Sequence, residues 1–142
     1  MDLKLKDKLA FISGSTSGIG LATARRLLAE GARVVINGRT EQSVQAALDH
    51  LKESLPEAEV SGIAADFAKV TDVDRLLAAL PAVDILINNV GIFEPKPFSQ
   101  IPDDDWFRFF EVNVMSGIRL ARVYFPGMLE KNWGRILFIS SE

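Results

Sequence analysis

Apolar and polar residues follow two periods along this chain, and the switch between them recurs from one end to the other. Short apolar runs bounded by glycine, proline or charge read as strands at 8–13 (KLAFIS), 32–37 (ARVVIN), 58–66 (AEVSGIAAD), 83–89 (VDILINN) and 134–140 (GRILFIS). Between them, apolar residues recur at helical spacing. Residues 18–31 set Leu21, Ala24 and Leu28 on one face, with Gly31 as a C-terminal stop. Thr40 is suited to cap a helix over 40–55 that ends at Pro56, and Thr71 to cap the next, ended by Pro81. A longer helix is expected from Pro102 to Leu129, kinked near Pro126, where the ring removes an N–H and crowds the preceding turn.

Strands alternating singly with helices predict a parallel sheet covered on both faces, and the run 83–89 is apolar enough to be buried on both. With right-handed crossovers this is an α/β fold: a doubly wound parallel sheet of Rossmann type, strand order 3-2-1-4-5, in one domain over 1–142. Ligands bind such sheets beyond the carboxyl ends of the strands, where strand order reverses. That point lies between strands 1 and 4, and brings Gly14 and Gly91 together.

The stretch FISGSTSGIG then has a chemical reading. Glycine directly after strand 1 permits a turn that side chains would obstruct, and Gly18 and Gly20 let backbone N–H groups and the next helix approach a diphosphate. The spacing G-x-x-x-G-x-G is neither the G-x-G-x-x-G fingerprint nor a P-loop, since no Lys-Ser/Thr pair follows for a triphosphate and its magnesium. A plain strand-to-helix turn would also use glycine, so the loop does not decide the matter alone.

Composition narrows the classes. A net charge of −3 over 142 residues gives no basic footprint for nucleic acid or for an anionic membrane surface. The absence of cysteine removes thiol chemistry and cysteine–zinc sites, and the single histidine, His50, falls on the polar side of a helix, so no metal is expected. The acidic run Asp103–Asp105 reads as a helix start that complements the dipole. No stretch resembles a signal peptide or a membrane span, and a cytoplasmic location is expected.

Four motifs in order, SGSTSGIG (13–20), NNVG (88–91), Asn113 within FFEVNVMSG, and GRILFISS (134–141), together resemble the short-chain dehydrogenase/reductase family along the whole chain. The resemblance implies an oxidoreductase that interconverts an alcohol and a carbonyl by hydride transfer with a nicotinamide cofactor. It assigns Gly14, Thr16, Ser17, Gly18, Ile19 and Gly20 to the diphosphate loop, and Asp66 with Phe67 to the adenine. Asn89, Val90 and Gly91 would border the ribose, and Asn88 would instead tie neighbouring strands together. Ser13 stands where threonine is usual, and Val90 where alanine is usual, adding two methyl groups beside the cofactor.

Members that bind NAD place an acid at the end of strand 2, to meet the ribose and repel a 2′-phosphate. Gly38 occupies that position and Arg39 follows, so NADP (NADPH) is favoured, although a solvated loop arginine is the alternative. Ser141 would hydrogen-bond the substrate oxygen and Asn113 would hold water in the proton relay, as the resemblance implies. A strand-end hydroxyl and a purely structural amide are the alternatives.

The family's Tyr-x-x-x-Lys pair follows strand 5, and is not present in these 142 residues. Tyr124, the only tyrosine, has no lysine four residues on and reads as packing. The chain is therefore expected to be the N-terminal, cofactor-binding half, inactive alone, with two further strands missing and an unpaired edge on strand 5. A non-catalytic nucleotide-binding module is the alternative function. A small carbonyl or alcohol substrate and a homodimer or homotetramer are the expected partners.

Overall fold

The computed structural model describes residues 2–141. The elements run β1 (Leu9–Ile12), α1 (Gly18–Ala29), β2 (Arg33–Gly38), α2 (Glu41–Ser54), β3 (Val60–Ala64), α3 (Val70–Ala79) and β4 (Ile85–Asn88). A single 3-10 turn (Phe98–Gln100) precedes α4 (Asp103–Phe110), a π-helical segment (Glu111–Met115), α5 (Ser116–Glu130) and β5 (Arg135–Phe138). All five strands pair in parallel in the order β3-β2-β1-β4-β5, the topology the alternation of patterns predicts.

The period of two along the strands divides the core. Ala10, Ile12, Val34, Ile36, Ile85 and Ile87 face one way, onto Ala24 and Leu28 of α1 and Val44, Ala47 and Leu51 of α2. Phe11, Val35 and Leu86 face the other way, onto Val73 and Leu76 of α3 and Leu120, Tyr124 and Met128 of α5. Each central strand is thus buried on both faces, which is why β4 reads as an unbroken apolar run.

Tyr124 carries its packing role with a hydrogen bond, its hydroxyl donating to the Leu80 carbonyl at 2.8 Å. Burial raises its pKa, so the phenol stays protonated. His50 is exposed, with Nε2 2.7 Å from an Arg25 guanidinium nitrogen.

Helix ends follow sequence in two places and depart from it in two. Thr40 caps α2 by accepting the Ser43 N–H, and Gly31 leaves α1 with φ +83°. Thr71 does not cap α3. That helix begins at Val70, with Lys69 at the capping position, so Thr71 lies inside it. The helix expected over 102–129 is not one helix kinked at proline either. Alpha geometry gives way at Glu111–Met115, and α5 continues through Pro126 to Glu130. Proline there lies in the last turns, while the π segment is fixed by Asn113 bonding outside its own helix.

Asn88 also differs from expectation. Its carbonyl accepts the Ile139 N–H at 2.9 Å, joining β4 to β5, but neither polar atom of its buried side chain has a hydrogen-bond partner. That amide lies against Gly117, where an added Cβ would come within 3.1 Å of it. Beyond β4, strand β5 pairs with no other strand among the described residues, and its Leu137 and Phe138, with Ile139 just after it, are exposed.

At the opposite end of the sheet Asp84 is a junction. Its carboxylate accepts the Leu9 N–H at 2.9 Å and pairs with Lys131 beyond α5 at 2.6 Å, while its carbonyl accepts the Arg135 N–H. Burial alone would raise its pKa; the Leu9 N–H and the Lys131 charge outweigh that and hold it below 3.8. The stability it supplies is therefore complete above that value and is lost as pH falls through the lowered pKa. Asp84→Asn should cost about 1–2 kcal/mol near neutrality. Urea unfolding should show that difference shrinking as pH falls below 3.8 and through the lowered pKa, and a difference that does not change with pH would contradict the assignment.

Candidate functional site

Side chains reinforce the backbone bonds that join the carboxyl ends of the central strands, where the Ser13 N–H donates to the Ile87 carbonyl at 3.1 Å and the Ser15 N–H to the Asn37 carbonyl at 2.7 Å. The buried Ser13 hydroxyl accepts the N–H groups of Asn89 (2.9 Å) and Val90 (3.1 Å), tying β1 to β4. The Ser15 hydroxyl donates to the Ile12 carbonyl (2.7 Å) and accepts the Asn37 N–H (2.9 Å), tying β1 to β2. Asn37 is buried as well. Its Nδ2 donates to the Ile63 carbonyl at 3.0 Å, drawing in the end of β3.

These bonds converge on Gly14. Asn37 Oδ1 accepts its N–H at 2.9 Å, and Asn89 Nδ2 donates to its carbonyl at 2.8 Å. Gly14 sits at φ +60°, a left-handed conformation that favours glycine, and a Cβ there would lie 3.1 Å from Val90 Cγ2. Val90, the larger residue of NNVG, thus packs against the turn itself. At Gly20 a Cβ would come within 2.6 Å of both the Gly14 carbonyl and Asn89 Nδ2. Only glycine lets α1 back onto the turn.

The start of α1 is prepared for an anion. Ser17 occupies the capping position without bonding from its side chain, and the first turn contains no acid. The N–H groups of Gly18, Ile19 and Gly20 have no carbonyl four residues earlier within the helix, so donors and the positive end of the helix dipole remain available.

A cavity of ≈ 410 Å³ follows this edge. Its wall includes Gly14, Thr16 and Ser17, then Arg39, Asp66 and Phe67, then Asn89, Val90 and Gly91. These nine of the expected residues thus share one wall. Gly18, Ile19 and Gly20 stand beside it as the helix start, and Ile19 is exposed. The Phe67 side chain is buried in the core beneath α3, and Asp66 holds a local turn, its Oδ1 accepting the Ala68 N–H at 3.0 Å.

Asn113 and Ser141 are not on the wall. The Asn113 amide is committed on both sides to Ile92, accepting its N–H at 2.7 Å and donating to its carbonyl at 3.1 Å. It clamps the segment leaving β4 to the π turn. Ser141 is exposed beyond β5.

Among the wall residues that the sequence did not single out, two carry polar side chains. Asn37, a polar residue closing the apolar run VVIN, had a readable signal, since a buried amide must find partners. Arg108 had none. Its guanidinium forks onto Glu94 at 2.9 and 2.6 Å, and Asp105 pairs with Lys96. The hydrogen bond to Glu94 raises the Arg108 pKa and lowers that of Glu94, so this latch over the loop after β4 stays ionised through the neutral range. The acidic run at the start of α4 thus serves the loop as well as the helix dipole.

The short chain dehydrogenase family model matches residues 8–142. The chain belongs to this family. A short-chain dehydrogenase relative, the uncharacterized oxidoreductase YvaG of Bacillus subtilis, is 52% identical over 142 residues, covering all of this chain and 54% of its own. The D-beta-hydroxybutyrate dehydrogenase of Cupriavidus necator is 32% identical, with 96% of this chain and 54% of that protein aligned. The structure of L-sorbose reductase from Gluconobacter frateurii, complexed with NADPH and L-sorbose, superposes with a TM-score of 0.87 at 34% identity, over 97% of this chain and 54% of the other. The chain spans about half the length of the curated short-chain dehydrogenase relatives it matches.

The clamp on Gly14 has a measurable cost of removal. Asn37→Ala leaves the Gly14 N–H without its acceptor and breaks the tie to β3, so chemical denaturation should show a loss of about 2–4 kcal/mol. A loss below about 0.5 kcal/mol would mean that the turn stands without it.

Proposed function

We propose that the protein supplies the cofactor-binding half of an NADP(H)-dependent oxidoreductase that interconverts an alcohol and a carbonyl. One observation carries the reading. The cavity joins a backbone cradle for a diphosphate, at Gly14–Gly20, to a pocket end that bears Arg39 and has no room for an acid at the preceding residue. A Cβ on Gly38 would fall 2.5 Å from Thr16 Cγ2 and 2.8 Å from Ser43 Oγ. The cradle and the cation both fit a phosphorylated dinucleotide.

When bound, NADP(H) supplies or accepts the hydride. The chain's own residues bind and orient. Gly18, Ile19 and Gly20 offer N–H groups to the diphosphate, Asp66 meets the adenine beside Phe67, and Asn89, Val90 and Gly91 border the ribose. Asn113 positions the loop at Ile92, and Ser141 is our candidate to hydrogen-bond the substrate oxygen. Proton transfer at neutral pH needs a phenol lowered by a nearby ammonium. Tyr124, the only phenol in these 142 residues, is buried and bonded to Leu80, so we assign this chain alone no turnover.

The same burial favours a second reading, a nucleotide-binding module without catalysis. The two separate cleanly: carbonyl-dependent loss of NADPH absorbance by the complete gene product supports the first, and NADPH binding without turnover supports the second. The proposal includes a cytoplasmic location. It also includes a homodimer or homotetramer, supported by the exposed aromatic surface of α4 and α5 at Trp106, Phe107, Phe110 and Phe125.

Arg39→Ala should weaken NADPH binding about tenfold and leave NADH within about twofold, measured by fluorescence titration. Equal losses for both cofactors would contradict the phosphate assignment.

A further inference from the structure

Beyond Arg39 the cofactor cavity continues into a second pocket of ≈ 410 Å³, walled by Thr16, Arg39, Thr40, Ser43, Asp66 and Lys69. Thr16, Arg39 and Asp66 belong to both, so this pocket is the outer end of the same groove. Its two cations come from different connections, Arg39 from β2–α2 and Lys69 from β3–α3. Neither forms an ion pair among the described residues, whereas Arg26, Arg75, Lys96, Arg108, Arg119 and Lys131 do. The pocket's one carboxylate, Asp66, already accepts the Ala68 N–H. In a chain of net charge −3, this wall carries two cations to one anion.

Lys69 also breaks a local rule. It stands at the capping position of α3, where Ser, Thr, Asp or Asn would accept an N–H from the first turn, and its side chain makes no such bond. A residue poorly suited to its place in the helix, directed to a pocket wall with a second unpaired cation, marks a ligand contact.

We propose that Lys69 is a second specificity-determining cation, sharing with Arg39 the recognition of a phosphate monoester on the adenosine ribose. This rests on the NADP(H) reading. A doubly charged phosphate has three acceptor oxygens, enough for a planar guanidinium and an ammonium at once. The hydroxyls of Thr40 and Ser43 complete the pocket, although both already bond locally. The cavity's other end, at the glycine turn, is left to the diphosphate.

Calorimetric titration of the protein with adenosine 2′,5′-bisphosphate and adenosine 5′-monophosphate tests this. The wild type should prefer the bisphosphate. Lys69→Ala should weaken bisphosphate binding about fivefold, with the monophosphate unchanged, and should flatten the salt dependence of the former. Lys69→Arg should restore most of the loss, which a merely structural role would not require. If Arg39→Ala removes the preference while Lys69→Ala leaves it intact, or weakens both ligands equally, Lys69 is not in the site and the NADP(H) reading stands. If the wild type binds the two ligands equally, the NADP(H) reading itself fails, and this inference with it.

Discussion

Gly14 is held at both of its backbone polar groups by two asparagines, and the rest of the site depends on that grip. Its N–H donates to Asn37 and its carbonyl accepts from Asn89, so the turn leaving β1 is fixed from β2 on one side and β4 on the other. Backbone bonds flank this turn, the Ser13 and Ser15 N–H groups donating to the Ile87 and Asn37 carbonyls, and the Gly14 polar groups between them go to side chains. The two amides that hold Gly14 differ in depth, Asn37 buried and Asn89 half-buried. The burial of Asn37 is stabilising because both ends of its amide are bonded, Oδ1 to the Gly14 N–H and Nδ2 to the Ile63 carbonyl; an unmatched amide at that depth would cost about 1–3 kcal/mol.

The grip on Gly14 dictates how the donors around it are arranged. With Gly14 fixed, α1 can approach only through a glycine at position 20, and its uncapped first turn then faces the cavity. One end of that cavity is backbone and dipole, suited to a diphosphate. The other is side-chain charge, where Gly38 lets Thr16 and Ser43 close in and leaves Arg39 as the group that meets whatever extends there. The net negative charge of the chain does not oppose this, since exposed charges more than about 10 Å away are largely screened at ordinary salt.

The layered fold was legible because its signal is periodic and redundant: five strands and their order follow from alternation and crossover handedness, and boundaries shifted by only a residue or two at most ends. The long helix was not, because proline near a helix end is tolerated, whereas the π segment depends on an Asn113 bond to Ile92, distant in sequence. Thr71 failed as a cap for a related reason: the chain turns earlier, where Asp72 accepts the Asp66 N–H and draws the helix start back to Val70. Within the site, the glycines and Arg39 could be read from local pattern and Asn37 from the polar end of an apolar run, while Arg108 is engaged through Glu94, a neighbour that only folding supplies. The idle amide of Asn88, beside Gly117, has no account in the sequence or in the packing around it.

Hydrogen exchange at the backbone amides of residues 14–20, with and without NADPH, tests the central claim most directly. The account predicts that Gly14 is protected in both states through Asn37, and that Gly18, Ile19 and Gly20 exchange freely until NADPH protects them. Rapid exchange at Gly14 without NADPH, or no new protection at the start of α1 once NADPH has bound, would contradict a preformed turn that receives a diphosphate.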